Sequence, residues 1–382
     1  MTLWFSASAV VPGLIESGLI NSTRASLLTG AVQLGFVLGT ICTAFFGLPD
    51  RIDPRRLFAF SALVGGCTNA LILTTGFDHP LTIALRFLTG VMLAGVYPVG
   101  MKLAAGWAGR DLGLMIGALV GALTLGSALP HLFRSMSELN WRFVIAASSI
   151  CALLGAALIN FSALGPGHAT AASFKPIQAL RLLKTPSFLM VTGGYLGHMW
   201  ELYAMWAWIG SFLTWGLVAS GASGPVVNPA LMTFVVVASG ALGCLGAGIL
   251  ADKFGRTTIT ITAMLISGLC AVFIGSMASF GPVILMVVAV IWGITIVADS
   301  AQFSAAITEL SEPALVGTML SLQTSLGFLL TFFAIQAIPL AIEWLTWKYA
   351  FTVLAIGPFL GALSMWRLRA NPESLRLAGG KR

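Results

Sequence analysis

Apolar runs of about 20 residues recur along this chain, each ended by a short polar break. They fall near residues 1–19, 25–48, 57–76, 81–105, 112–132, 142–164, 187–215, 229–251, 257–279, 282–305, 315–338 and 347–368. A helix of that length crosses the hydrocarbon core of a bilayer, and most of the breaks are too short to be anything but tight hairpins. The pattern predicts twelve membrane spans. One break is long: GPGHATAASFKPIQALRLLKTP, residues 165–186. Its start reads as loop, and residues 176–184 are expected to form a short amphipathic helix on the membrane surface. The chain thus divides into a six-span bundle over 1–164, a linker over 165–186, a second six-span bundle over 187–369 and a tail over 370–382.

Composition agrees with this reading. With 58% hydrophobic residues and 9% charged, a water-soluble globular fold is excluded. The net charge of +7 does not point to nucleic acid, because its placement has another cause. Arg51, Arg55, Arg56, Lys102, Arg110, Lys175, Arg181, Lys184, Lys253, Arg256, Arg367, Arg369, Arg376, Lys381 and Arg382 fall on one side of the predicted topology. Only Arg24, Arg134, Arg142 and Lys348 fall on the other, and Arg86 lies within a span. This is the positive-inside bias, and it places both termini in the cytoplasm. The five cysteines all fall inside apolar runs without paired spacing, so neither a disulfide framework nor a metal site is expected. The first run is interrupted by Pro12, Gly13 and Glu16 and has no basic leading region or small-x-small site of a signal peptide. Met1 is expected to lie inside a longer first span. No GxxxxGK[ST] loop, HExxH or GxSxG occurs, so neither ATP-driven transport nor a membrane-embedded enzyme is expected, and no cofactor is implied.

The break between spans 8 and 9 reads GILADKFGR, residues 248–256. Gly248 lets a helix end pack closely, Gly255 permits the turn, and Asp252 is placed to cap the N-terminus of a neighbouring helix. Lys253 and Arg256 stay with water and lipid headgroups. A degraded copy, GLPDRIDPRR over 47–56, carries Asp50 and Arg51 at the positions of Asp252 and Lys253, with Asp53 and Pro54 replacing the Gly–Arg pair. Other fragments repeat likewise: LGLM from 112 matches VGTM from 316, WRF from 141 matches WKY from 347, and LGA from 154 matches LGA from 360. The slow drift of these offsets indicates a parallel repeat of six spans. The pattern G-x-L-A-D-x-x-G-R between two spans resembles the signature loop of the major facilitator superfamily of secondary transporters, and the likeness covers nearly the whole chain. It implies an all-α fold of two pseudo-symmetric six-helix bundles. It also implies alternating access to a central site for a small solute, in a monomer embedded in the lipid bilayer. Asp50 and Asp252 would each hold a helix N-terminus of the opposite half (spans 11 and 5) when the cytoplasmic side is shut. Fragments LWFSASAVVPGL, YPVGMKL and ADSAQFSA look like a bacterial branch labelled nitrate/nitrite or cyanate permeases, which implies the bacterial plasma (inner) membrane. The nitrate carriers' arginines on spans 2 and 8, and their repeated glycine signature, are absent.

An ionised side chain at mid-bilayer costs roughly 2.5–3.5 kcal/mol, so each one needs a reason. Five are read as deep: Glu16, Arg86, His198, Glu201 and Asp299, on spans 1, 4, 7 and 10. In the family these four helices line the central cavity, whereas spans 3, 6, 9 and 12 face lipid. Arg86, in RFLTG, resembles the family's intramembrane Arg-x-x-x-Gly, and Tyr97 is three turns further on the same face. Arg86 either binds an anionic group or coupling proton, or is a structural residue paired with Glu16 or backbone carbonyls. His198 and Glu201 stand three apart, with Tyr195 three before, so one face carries all three. An imidazole whose ordinary pKa is about 6.5, beside a carboxylate, suits a proton relay. The alternative is a polar pair that only fastens helices. Asp299 and Gln302 repeat the spacing on span 10 and, with Gln323 on span 11, form either a polar cluster or an inner gate. Glu309 and Glu312 are expected to partner Arg51 or Arg55. The chemistry expected is proton symport; the alternatives are uniport, solute exchange or a non-transporting sensor.

Overall fold

The computed structural model describes residues 1–46, 48–107, 112–136, 140–166, 185–221, 228–311 and 316–382. The linker helix expected at 176–184 and Glu312 lie outside the described residues. Among those described there are helices and no strands. Ten helices are long and apolar enough to cross a membrane, from Ser22–Thr43 to Met319–Ala370. The last runs through spans 11 and 12, broken at Thr346 by φ 58°, ψ 169°. Span 1 differs from the others: it folds as two short pieces, Thr2–Phe5 and Val11–Glu16.

Helix starts follow the local chemistry. Pro54, Pro186, Pro229 and Pro282 stand in the first turn, where a missing N–H costs nothing. Asn228 caps span 8 by accepting from the N–H groups of Ala230 and Leu231, and Asn140 caps span 6 through Arg142. Gly255, at φ 96°, makes the sharp turn between spans 8 and 9.

Within each half the same close crossing occurs. A Cβ on Gly35 of span 2 would stand 1.9 Å from the carbonyl of Phe87 on span 4, and one on Gly90 would stand 2.1 Å from that of Val32. Spans 8 and 10 repeat this, with Gly243 against Ile294 and Gly293 against Val236, each at 2.0 Å. Backbones can approach so closely only where side chains are missing, and dispersion over these faces is what holds helices together in lipid. Large apolar side chains on spans 3, 6, 9 and 12, among them Phe60, Leu154, Phe273 and Leu360, are exposed on the outer surface. Lipid would cover them.

The halves meet where span 5 lies along span 8 and span 2 along span 11. At the end away from the signature loop they are joined directly. Ser26 Oγ donates to Gln336 Oε1 at 2.5 Å, and Asn228 Nδ2 donates to the carbonyl of Ser135 at 3.2 Å. Between them sits an aromatic cluster. Trp4 packs on Phe36, Tyr203 and Phe328 with centroids 4.9–5.5 Å apart, and Phe5 meets Trp206 at 5.5 Å.

Candidate functional site

Arg86 is completely buried, and its guanidinium is spent on the broken first span. Nη1 donates to the carbonyl of Leu3 (2.7 Å), Ser6 Oγ (3.1 Å) and Asn69 Oδ1 (3.1 Å). Nη2 donates to the carbonyl of Trp4 at 2.5 Å, and Nε to that of Leu28 at 3.3 Å. The carbonyls of Leu3 and Trp4 are open because the helix stops at Phe5. Asn69 is itself held by Ser149 Oγ at 3.0 Å. Of the open readings, the contacts are those of a structural arginine bound to carbonyls. Glu16 is not its partner and is not deep: it stands exposed at the end of Val11–Glu16. The break falls at residues 6–10, and Pro12 and Gly13 stand in the first turn of the second piece, which ends at the exposed Glu16.

The i, i+3 neighbours on span 7 look in different directions. His198 Nδ1 lies 2.8 Å from Asp299 Oδ1 on span 10, both side chains being buried. His198 Nε2 has no hydrogen-bond partner. Glu201 faces the interior of its own half: Trp292 Nε1 donates to Oε1 at 2.6 Å, and Ser267 Oγ donates to Oε2 at 2.8 Å. Gln302 does not join Asp299. Its Oε1 accepts from Arg256 Nη1 at 2.9 Å. Gln323 is buried with Nε2 unpartnered.

A cavity lies between the halves, with room for about one water molecule (20 Å³). Tyr97 from span 4, Tyr195, Tyr203 and Trp206 from span 7, Ser304 from span 10 and Phe328 from span 11 form much of its wall. His198 and Asp299 are not in that wall, but the His198 ring packs behind the lining Tyr195, centroids 6.2 Å apart. Arg86 and Glu201 do not line it.

At the signature loop, Arg256 makes a two-pronged pair with Glu309, Nε to Oε2 at 2.8 Å and Nη2 to Oε1 at 2.6 Å. This corrects two expectations: Glu309 does not pair with Arg51 or Arg55, and Arg256 is buried against Glu309 and Gln302, not left with water and headgroups. Arg55 is engaged elsewhere, with Nη2 2.7 Å from Asp53 Oδ2 and Nη1 donating to the carbonyl of Ser162. That guanidinium pulls the Asp53 carboxyl down to about 2. The degraded copy thus satisfies its acid locally, one residue from where Arg256 would stand. Asp252 lies 3.6 Å from Arg256 Nη1 and is half exposed, at 53%. Lys253 is exposed and Gly248 buried. The tail is laid over this loop. Lys381 Nζ donates to the carbonyl of Asp252 at 2.6 Å, the N–H of Ala378 donates to Glu309 Oε2 at 3.2 Å, and a Cβ on Gly255 would collide with the carbonyl of Arg382. Asp50's side chain and residues 108–111, before span 5, lie outside the described residues.

The family model of the Major Facilitator Superfamily matches residues 1–335. The chain belongs to the major facilitator superfamily. Its fold is close to that of a solved D-xylose-proton symporter, with a TM-score of 0.73 over 98% of this chain and 96% of that one, at 18% identity. Among curated relatives, the inner membrane metabolite transport protein YgcS of Escherichia coli (strain K12) is 32% identical over 158 residues, covering 38% of this chain and 35% of the relative. The agnestins efflux protein AgnL12 of Paecilomyces divaricatus is 25% identical over 306 residues, covering 78% of this chain and 66% of the relative. This chain therefore spans between about a third and two-thirds of the length of these relatives.

Within this major facilitator fold, several partners were not legible from sequence. Trp292 and Ser267, on spans 10 and 9, carry no motif that marks them, yet they hold Glu201. Asn69, a lone amide in span 3, offered the one usable signal: a polar residue deep in an apolar run needs a partner, here Arg86 and Ser149.

Proposed function

We propose that this protein is a secondary active transporter that moves a small solute across the plasma membrane by alternating access, coupled to protons. The observation that carries the reading is the His198–Asp299 contact, one layer behind the cavity between the halves. An imidazole against a carboxylate in a dry interior is a pair that can pass a proton on once water or solute approaches. The hydrogen bonds at Ser26 and Ser135 close one end of the cavity, and the positive-inside bias assigns that end to the outside, with both termini in the cytoplasm. Transport, not catalysis, is what family membership supports. A second reading, uniport or exchange, draws on the same contact: a permanent ion pair between His198 and Asp299 fastens spans 7 and 10 without changing protonation.

The test uses proteoliposomes loaded with a pH-sensitive dye, acidified outside, and challenged with a set of neutral and anionic solutes that includes D-xylose. A transported solute is expected to carry protons inward in the wild type. His198→Ala is expected to abolish that acidification while solute exchange persists. Solute entry without proton entry in the wild type would favour uniport or exchange, and unchanged proton entry in His198→Ala would remove His198 from the proton route.

Asp252 is assigned to the cytoplasmic gate, where its carboxylate would hold the N-terminus of span 5 once that side shuts. Its exposure here fits an open gate. Asp252→Asn is expected to slow transport about fivefold, the cost of losing a charge–dipole contact of about 1 kcal/mol, at unchanged thermal stability. Normal rates at equal membrane abundance would remove the gate role.

A further inference from the structure

Resting on the reading of the central cavity as the solute site, we infer that it accepts an uncharged solute carrying a flat apolar ring and a hydrogen-bond acceptor. Among the described residues, no lining side chain is charged. Tyr97, Tyr195, Tyr203, Trp206 and Phe328 form much of the wall, whose polar groups are hydroxyls and the indole N–H of Trp206. Flat rings are the natural complement of such walls. A bound anion would lose its hydration with no cation to replace it, since Arg86 does not line the cavity and each of its three nitrogens already donates to Leu3, Trp4, Ser6, Leu28 or Asn69. The charged groups behind the wall, Asp299 with its His198 partner, offer an anion nothing either.

The acceptor requirement comes from Trp206. Its side chain is 1% exposed, it lines the cavity, and its Nε1–H has no acceptor in the protein. A buried donor without a partner is rare and is normally met by water or ligand. A cation would bring no acceptor to it, which separates this wall from an aromatic cage for ammonium groups. With room for only about one water now, the cavity widens for a solute as the halves part.

The experiment compares benzamide, benzoate, benzylammonium and toluene on the detergent-purified protein, reading the unfolding midpoint and tryptophan fluorescence. Benzamide is expected to raise the midpoint and to bind at least tenfold tighter than the other three. Trp206→Phe, which keeps the ring and removes the donor, is expected to weaken benzamide about tenfold. Tighter binding of benzoate or benzylammonium, no benzamide binding at millimolar concentration, or equal affinity in Trp206→Phe would each overturn the inference. The ligand ranking needs no variant, so a misfolded Trp206→Phe leaves it decided. Binding is read without a gradient: benzamide bound as expected but not moved across vesicles refutes transport alone, whereas transport with a preference for benzoate refutes only the solute class.

Discussion

Arg86→Met should lower the thermal unfolding midpoint of the purified protein by several degrees, with or without solute present. Methionine fills much of the volume but donates nothing. The carbonyl of Trp4 then loses the partner recorded at 2.5 Å, and those of Leu3 and Leu28 lose charge-assisted bonds. Leu3 keeps Ser6 Oγ at 3.0 Å, so the damage concentrates on Trp4. One buried orphan, with the Leu3 and Leu28 carbonyls, Ser6 Oγ and Asn69 Oδ1 each losing a donor, costs about 3 kcal/mol in all. The effect also reaches the cavity, because Trp4 packs on Tyr203 and Phe328, which line it. Arg86→Lys should recover only part of the loss, since three donors on one nitrogen cannot span Leu3, Trp4 and Leu28 at once. A variant with wild-type stability that no longer binds solute would reverse the assignment and make Arg86 a ligand of the transported molecule.

The span pattern was readable because hydropathy is a one-dimensional property and lipid enforces it residue by residue. The same holds for the signature loop, whose Gly255 sits at φ 96° as its turn requires. Partners were not readable, because they are chosen across helices. His198 and Glu201 share a face by spacing, yet one lies against Asp299 and the other receives Trp292 and Ser267. A separation of three residues turns the side chain by about 60°, enough to aim one at span 10 and the other between spans 9 and 10. The break in span 1 shows the same limit. Pro12 and Gly13 announce an interruption, but only Asn69, Arg86 and Ser149, scattered over 80 positions, reveal that it is stabilised. Glu309 was misassigned for a related reason: Arg55 looked available until Asp53 was seen to hold it.

Glu201→Gln should reduce proton-driven accumulation to the equilibrium level while leaving the fold and solute exchange intact. The amide is nearly isosteric, and its neighbours can all remain satisfied. Its oxygen accepts from Trp292 Nε1 in place of Oε1, and its NH2 donates to Ser267 Oγ. Ser267 then turns its own hydrogen to the carbonyl of Met264, 3.4 Å away. That spare acceptor is why the carboxyl pocket tolerates a proton at all: protonated Glu201 can donate to Ser267 along the same path. Removing the hydrogen-bonding group altogether gives a different outcome. Glu201→Leu strands the Trp292 N–H in a dry interior, while the Ser267 hydroxyl falls back on the carbonyl of Met264, and should cost about 1–3 kcal/mol for the donor left without an acceptor. Measured side by side, a stable Glu201→Gln that exchanges solute but does not concentrate it assigns the carboxyl to energy coupling. Should Glu201→Gln still accumulate solute against a gradient, the carboxyl is a fastener between spans 7, 9 and 10, and His198 with Asp299 is left as the route for the proton.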